Sequence, residues 1–251
     1  MSGDLAVTVL GSATPYPSAD NACSGYLVSG GGTRLWMDAG TGSLAQLRRH
    51  IRLDEVDAIW ISHLHADHSA DLLTAYYGLL YADIRLAAPI PLYGPAGTAE
   101  RLAHFLTNGP TRSPIESAFE VHELHDGHKA EVGALSLTTS EVAHGIPAFA
   151  VRVEIGGRAL TYSGDTAPCA NLTELAAECD LLLCEADSAT PSVDHHTPEN
   201  AGDTATSARA RRLVLTHAGP FLTPDDAIAR AATRYTGPIA YAAPGSTFRA
   251  G

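Results

Sequence analysis

Basic side chains are scarce, with 16 Lys and Arg set against 28 Asp and Glu for a formal charge of −12. That balance argues against a broad cationic surface able to hold a polyanion through many phosphate contacts, so no large nucleic-acid partner is expected, though a local basic patch fits within it. Cysteine is thin as well. Cys23, Cys169, Cys179 and Cys184 show no C-x-x-C spacing, and a domain of ordinary size needs no covalent staples, so they read as reduced thiols and not as zinc ligands. No apolar run approaches the roughly 18 residues of a membrane span. Met1-Ser2-Gly3-Asp4 has neither the basic nor the apolar section of a signal peptide. A soluble, cytoplasmic protein without a membrane partner is the expectation. Low-complexity linkers and repeats by identity are missing too, so the 251 residues are expected to form one domain, 1–251, burying roughly three quarters of the unfolded surface.

What the chain does contain is concentrated in one stretch. His63-Leu64-His65-Ala66-Asp67-His68 places three imidazoles and a carboxylate within six residues, directly after the apolar run 56–61. A strand running into a loop can aim His63 and His65 at one point and Asp67 and His68 at a neighbouring one, because rigid scaffolds present convergent side chains from their element ends. One metal, or two side by side, is the natural reading. A polar surface turn that merely contains histidines is the alternative, and the ligand density opposes it. His122, His125 and His128 are different: at three-residue spacing in a strand context they alternate faces, and a solvated edge is expected there.

Periodicity and turn residues sketch the remaining elements. Strands are expected at 5–10, 24–28, 34–37, 58–61, 118–124, 134–139, 148–155, 159–163, 181–184, 212–216 and 238–241, with a short strand and turn at 91–95 and the hairpins turning at Gly30-Gly31-Gly32 and Gly156-Gly157. Helices are expected at 44–50, 69–81, 99–105, 197–208 and 225–235, the fourth opened by Thr197 as N-cap and Pro198 in its first turn. Helix 69–81 would start immediately after the histidine stretch and point its positive end at it. Of Tyr76, Tyr77 and Tyr81 on that helix, at least two read as core packing. By themselves these patterns give an α/β class and no more.

The H-x-H-x-D-H stretch after a strand resembles the signature of the metallo-β-lactamase superfamily. Later motifs extend the likeness: Ala143-His144-Gly145, Ser163-Gly164-Asp165-Thr166, Cys184-Glu185-Ala186, His195-His196-Thr197-Pro198-Glu199 and Leu215-Thr216-His217. Together they resemble the ribonuclease Z-like and cyclic nucleotide phosphodiesterase-like branch in particular. The resemblance implies an αββα sandwich, two mixed sheets flanked by helices. It implies His63, His65 and His144 on one metal, Asp67, His68 and His217 on a second, and Asp165 bridging the two. Asp67 is also expected to take part in catalysis. Ligands of imidazole and carboxylate type suit two Zn²⁺, with Mn²⁺ or Fe²⁺ as alternatives. Asp38 is expected to support the metal loop without ligating.

The segment at 195–199 resembles the H-x-T-x-E element of that branch. By register His195 takes the catalytic place, the doubled histidine leaving the assignment open by one position, and Asn200 departs from the acidic residue common there. Glu185 or Glu199 would orient the imidazole, helix capping being the competing role for Glu199. Ribonuclease Z enzymes that process tRNA carry a long arm between the positions of His144 and Asp165, and here only 20 residues separate them. The expected activity is therefore hydrolysis of a small phosphodiester, most naturally a cyclic nucleotide, by a metal-bridging hydroxide. A thioester or lactone hydrolase, a tRNA 3′ endonuclease and a metal-dependent sensor without turnover are the competing readings. Dimeric relatives in that branch make a homodimer compatible with the sequence.

Overall fold

The computed structural model describes residues 4–82, 84, 86–107 and 109–251. Residues 1–3, part of the segment read above for a leader, lie outside that set. The first sheet is built from β1 (Leu5–Ala13), β2 (Ala22–Cys23), β3 (Gly25–Gly30), β4 (Thr33–Ala39), β5 (Ala58–Trp60), β6 (Ile90–Gly94) and β7 (Phe119–Glu123). The second holds β8 (Lys129–Val132), β9 (Leu135–Glu141), β10 (Phe149–Ile155), β11 (Arg158–Tyr162), β12 (Leu181–Ala186), β13 (Leu213–Ala218) and β14 (Ile239–Tyr241). A final strand, β15 (Thr247–Ala250), crosses back and pairs antiparallel with β1, with Leu5 opposite Ala250.

Each sheet has an antiparallel half followed by a parallel half. β4, β5, β6 and β7 run parallel, and so do β11, β12, β13 and β14. The two blocks of alternating elements are thus one architecture used twice without shared sequence. β12 reads Leu-Leu-Leu-Cys-Glu-Ala and is buried throughout, as a strand covered on both faces must be. Between the sheets lies a core of Val7, Val28, Leu35, Trp60, Leu137, Val153, Leu183 and their neighbours. Helices α1 (Ser43–Leu47), α2 (Ala66–Ser69), α3 (Asp71–Tyr81) and α4 (Thr98–Thr107) cover the outer face of the first sheet; α5 (Ala170–Leu175), α6 (Pro198–Ser207) and α7 (Pro224–Ala231) cover the second. This is the αββα sandwich expected from the motifs. Among the described residues no helix is long and apolar enough to cross a membrane.

Several expectations change. The helix after the histidine stretch starts inside it: His65 is the N-cap of α2, which places Asp67 in the first turn. β8, α5 and β15 had no sequence reading, because their few apolar positions carry no clear period. Tyr76 is buried, but Tyr77 is 50% and Tyr81 71% exposed, so only one of the three tyrosines packs in the core. His122 sits on the sheet-edge strand β7, its ring stacked on Tyr93 with centroids 4.9 Å apart.

Candidate metal centre

The predicted ligands leave the carboxyl ends of parallel strands, where open α/β sheets place their sites. His63 follows β5, Asp165 follows β11, Glu185 lies near the end of β12 and His217 is the penultimate residue of β13. His144 joins from the loop between β9 and β10. A backbone bond from Phe149 N–H to the Ser62 carbonyl, 3.0 Å, ties the second sheet to the histidine loop of the first. Donor atoms of His63, His65 and His144 gather in one group and those of Asp67, His68 and His217 in a second, while His63, His68 and Asp165 form a third that connects them. The fold therefore brings together all seven residues named from the sequence.

Bare imidazole nitrogens face one another across this cluster. His63 Nε2 lies 2.9 Å from His65 Nδ1, which lies 3.3 Å from His144 Nε2, and His68 Nε2 lies 3.1 Å from His217 Nε2. Four ligands around a zinc ion at 2.0–2.1 Å stand about 3.3 Å from one another, so these separations suit a tetrahedral cation. Asp165 Oδ1 is buried without a hydrogen-bond partner although His68 Nε2 is 3.3 Å away. An orphaned carboxylate oxygen amid converging lone pairs fits a cation and little else.

The outward nitrogens settle which face each ring presents. His68 Nδ1–H donates to Asp38 Oδ2 at 2.7 Å, and His144 Nδ1–H to the Asp194 carbonyl at 3.0 Å. His63 Nδ1 is 3.0 Å from Ser62 Oγ, which itself donates to Asp38 Oδ2 at 2.8 Å. Each such bond occupies Nδ1, so that Nε2 is the nitrogen turned to the cluster and available to a cation there. Asp38 also accepts from the Ser62 N–H at 2.7 Å and from the Tyr162 hydroxyl at 2.8 Å, so one buried carboxylate organises both ends of the histidine loop. Asp38→Asn exchanges one acceptor for a donor in this network. Metal affinity is expected to fall about 10- to 100-fold. Competition with a chromogenic chelator reads it, and unchanged affinity would remove Asp38 from this role.

Backbone geometry aims two of these side chains. Asp38 and His217 have left-handed φ of 53° and 49°, rare for residues with a side chain. Both are bulged: the β3–β4 register passes from Tyr26–Met37 to Gly25–Ala39, and the β12–β13 register from Glu185–Thr216 to Ala186–Ala218. A bulge turns the extra residue out of the pleat, here into the cluster. Gly40 matters through closeness. A Cβ there would stand 1.9 Å from the Asp67 carbonyl oxygen, backbone that cannot swing aside. Gly40→Ala is expected to displace the Asp67 turn and lower both metal content and thermal stability, by several kcal/mol where a core clash is not relieved. A variant that keeps the parental metal content and the parental unfolding midpoint would contradict this.

The neighbouring histidines separate cleanly. His195 stands beside the cluster, its donor atom grouped with those of His144 and Asp165, and its Nδ1–H donates to Glu185 Oε1 at 3.1 Å. His196 faces the other way: Nδ1–H donates to the Thr166 carbonyl at 2.6 Å and Nε2 accepts from Thr204 Oγ1 at 3.1 Å. Burial pushes the His196 imidazole down to about 4, which keeps it neutral. Burial also opposes charge on His195, but the Glu185 carboxylate outweighs it and lifts that ring to about 9. Burial raises Glu185 itself to about 7, so in the metal-free protein this pair keeps a proton at neutral pH. Glu199 neither orients the ring nor caps the helix. It is held by Arg230 through bonds of 2.8 and 2.7 Å, and Asn200 closes the capping box with Thr197. Ser62, Tyr162 and Asp194 also hold the site, and no motif pointed to them; Thr166 stood in the Ser163–Thr166 motif without an expected role.

A model of the β-lactamase superfamily domain matches residues 33–218, a span that contains all seven clustered residues. The chain belongs to this superfamily. An uncharacterized protein of Mycobacterium leprae is 35% identical over 96% of this chain and 87% of its own length. A protein named ribonuclease Z from Mycolicibacterium gilvum is 33% identical over 92% of this chain and 91% of its own. The crystal structure of the metallo-β-lactamase fold protein YhfI from Bacillus subtilis superimposes with a TM-score of 0.87, covering 99% of this chain and all of that one at 24% identity. Membership makes the chain a metallo-hydrolase of the β-lactamase fold, and its His and Asp groups suit a divalent metal.

Proposed function

We propose that this metallo-hydrolase cleaves small phosphodiesters, with cyclic nucleotides as the leading class and two zinc ions as the metal complement. His63, His65 and His144 would hold one ion, Asp67, His68 and His217 the other, and Asp165 both. Bound there, the ions supply Lewis-acid polarisation and a deprotonated water near neutral pH. Asp67, whose Oδ2 lies 3.3 Å from His217 Nε2, offers a carboxylate oxygen at the cluster to take a proton from the attacking water. His195, charged by its bond to Glu185, donates a proton to the departing alkoxide. With cations held by the neighbouring ligands, His195 would part with that proton more readily, as a general acid must.

The observation that carries this reading is the His195–Glu185 pair at the cluster. A diester with an alkoxide leaving group needs a proton donor on the leaving side, whereas thiolate departure from a thioester does not. Against tRNA as substrate stands the interval between His144 and Asp165. The β10–β11 hairpin, turned by Gly156-Gly157, fills it and leaves no arm. A panel of cyclic AMP, cyclic GMP, ribose cyclic phosphates, lactones and a thioester tests the reading on the zinc-loaded protein. Turnover of the phosphodiesters alone is the expected result, and preference for the carbonyl substrates would reverse it. With pre-tRNA at physiological salt, denaturing gels are expected to show negligible 3′ trimming, since such binding draws on several phosphate contacts.

A further inference from the structure

At the rim of the second sheet opposite the metal cluster, Arg158, Arg211, Arg212 and Arg249 line one open cavity of about 340 Å³ together with Asp180. Four of the chain's 16 Lys and Arg thus converge on a single concavity in a protein of charge −12. The topology keeps this cavity apart from the cluster. Arg158 opens β11, Asp180 immediately precedes β12, and Arg211 and Arg212 precede β13, whereas Asp165, Glu185 and His217 lie at the other ends of those three parallel strands. Strands of five or six residues are about 17–20 Å long, which sets the separation.

The site is built rather than incidental. Asp180 is 6% exposed, and its Oδ2 accepts the Ala159 N–H at 2.9 Å. Its Oδ1 accepts from Arg158 Nη1 at 3.1 Å and Arg211 Nη1 at 3.0 Å, so one fixed carboxylate holds two guanidiniums in place and uses one nitrogen of each. Among the described residues Arg212 and Arg249 have no ion-pair partner, whereas Arg158 and Arg211 share Asp180. Among the lining side chains four guanidiniums stand against one carboxylate, so positive charge is in surplus on a concave surface.

We propose that this cavity binds a small diphosphate-bearing anion, at a site separate from the metal centre. Guanidinium forks match phosphate oxygens two at a time, and a ligand with two or three negative charges neutralises the surplus. The volume lies in the range of small-molecule sites and is concave, unlike a flat protein-docking face.

Adenosine 5′-diphosphate is the probe, titrated calorimetrically into the zinc-loaded protein. Binding to this cavity is expected to persist in Asp165→Ala and to weaken about 100-fold in Arg212→Ser/Arg249→Ser, about tenfold for each guanidinium removed. Both arginines are exposed, so the double variant is expected to keep the parental unfolding midpoint and its hydrolysis of a chromogenic diester. Arg212→Glu serves as a second variant and is expected to weaken binding at least as much as the loss of Arg212 alone. Absence of binding at millimolar nucleotide, binding untouched by either variant, or citrate binding as tightly as the nucleotide would each overturn the proposal.

Discussion

Asp165→Ala is expected to lose metal and turnover together. Among the described residues Asp165 is the one whose carboxylate reaches rings from both ligand groups, with Oδ1 3.3 Å from His68 Nε2 and Oδ2 3.7 Å from His63 Nε2 and 3.6 Å from His217 Nε2. The neighbouring imidazoles hold its carboxyl well below the usual carboxylate range despite complete burial. Removing it would leave six neutral or singly charged donors to hold the two dications proposed for this dry site, where charge compensation is worth most. Elemental analysis is expected to fall from two metals per chain to one or fewer, with diester hydrolysis at the background rate. Two metals per chain in an inactive variant would show that Asp165 acts in the chemistry and not in holding the ions.

His195→Ala should do the opposite, sparing metal while slowing the reaction according to the leaving group. A general acid contributes about 10²- to 10⁴-fold, so loss of that size is expected in kcat for diesters that release an alkoxide. For bis(p-nitrophenyl) phosphate, whose leaving group departs without a proton, the loss is expected to be much smaller. Glu185→Gln should reproduce the pattern in weaker form, because it keeps the ring's neighbour but removes the charge that lifts the imidazole. His196→Ala should instead lower stability, since its ring bridges Thr166 and Thr204 inside the fold. Equal losses on both leaving groups in His195→Ala, or a metal content below that of the parent, would argue that this ring ligates.

The metal stretch, the Gly156-Gly157 hairpin and the Thr197–Pro198 helix start were legible in the chain because each is a local event. Ligands packed within six residues, a two-residue turn and an N-cap depend on neighbours only a few positions away. The likeness to a known family then supplied the long-range partners, His144, Asp165 and His217, and the sandwich that unites them. What the tertiary structure alone decided depends on pairing between distant segments. The bulges that turn Asp38 and His217 inward arise from strand registers with β3 and β12, which no local pattern encodes. Adjacent residues His195 and His196 have the same chemistry, and only the placement of Glu185 on one side and of Thr166 and Thr204 on the other tells them apart. Tyr77 and Tyr81 fell outside the core, and Glu199 went to Arg230, because burial is set by what packs over a helix rather than by the helix itself. β15, too short and polar to announce itself, finds its place only once β1 offers an open edge to complete.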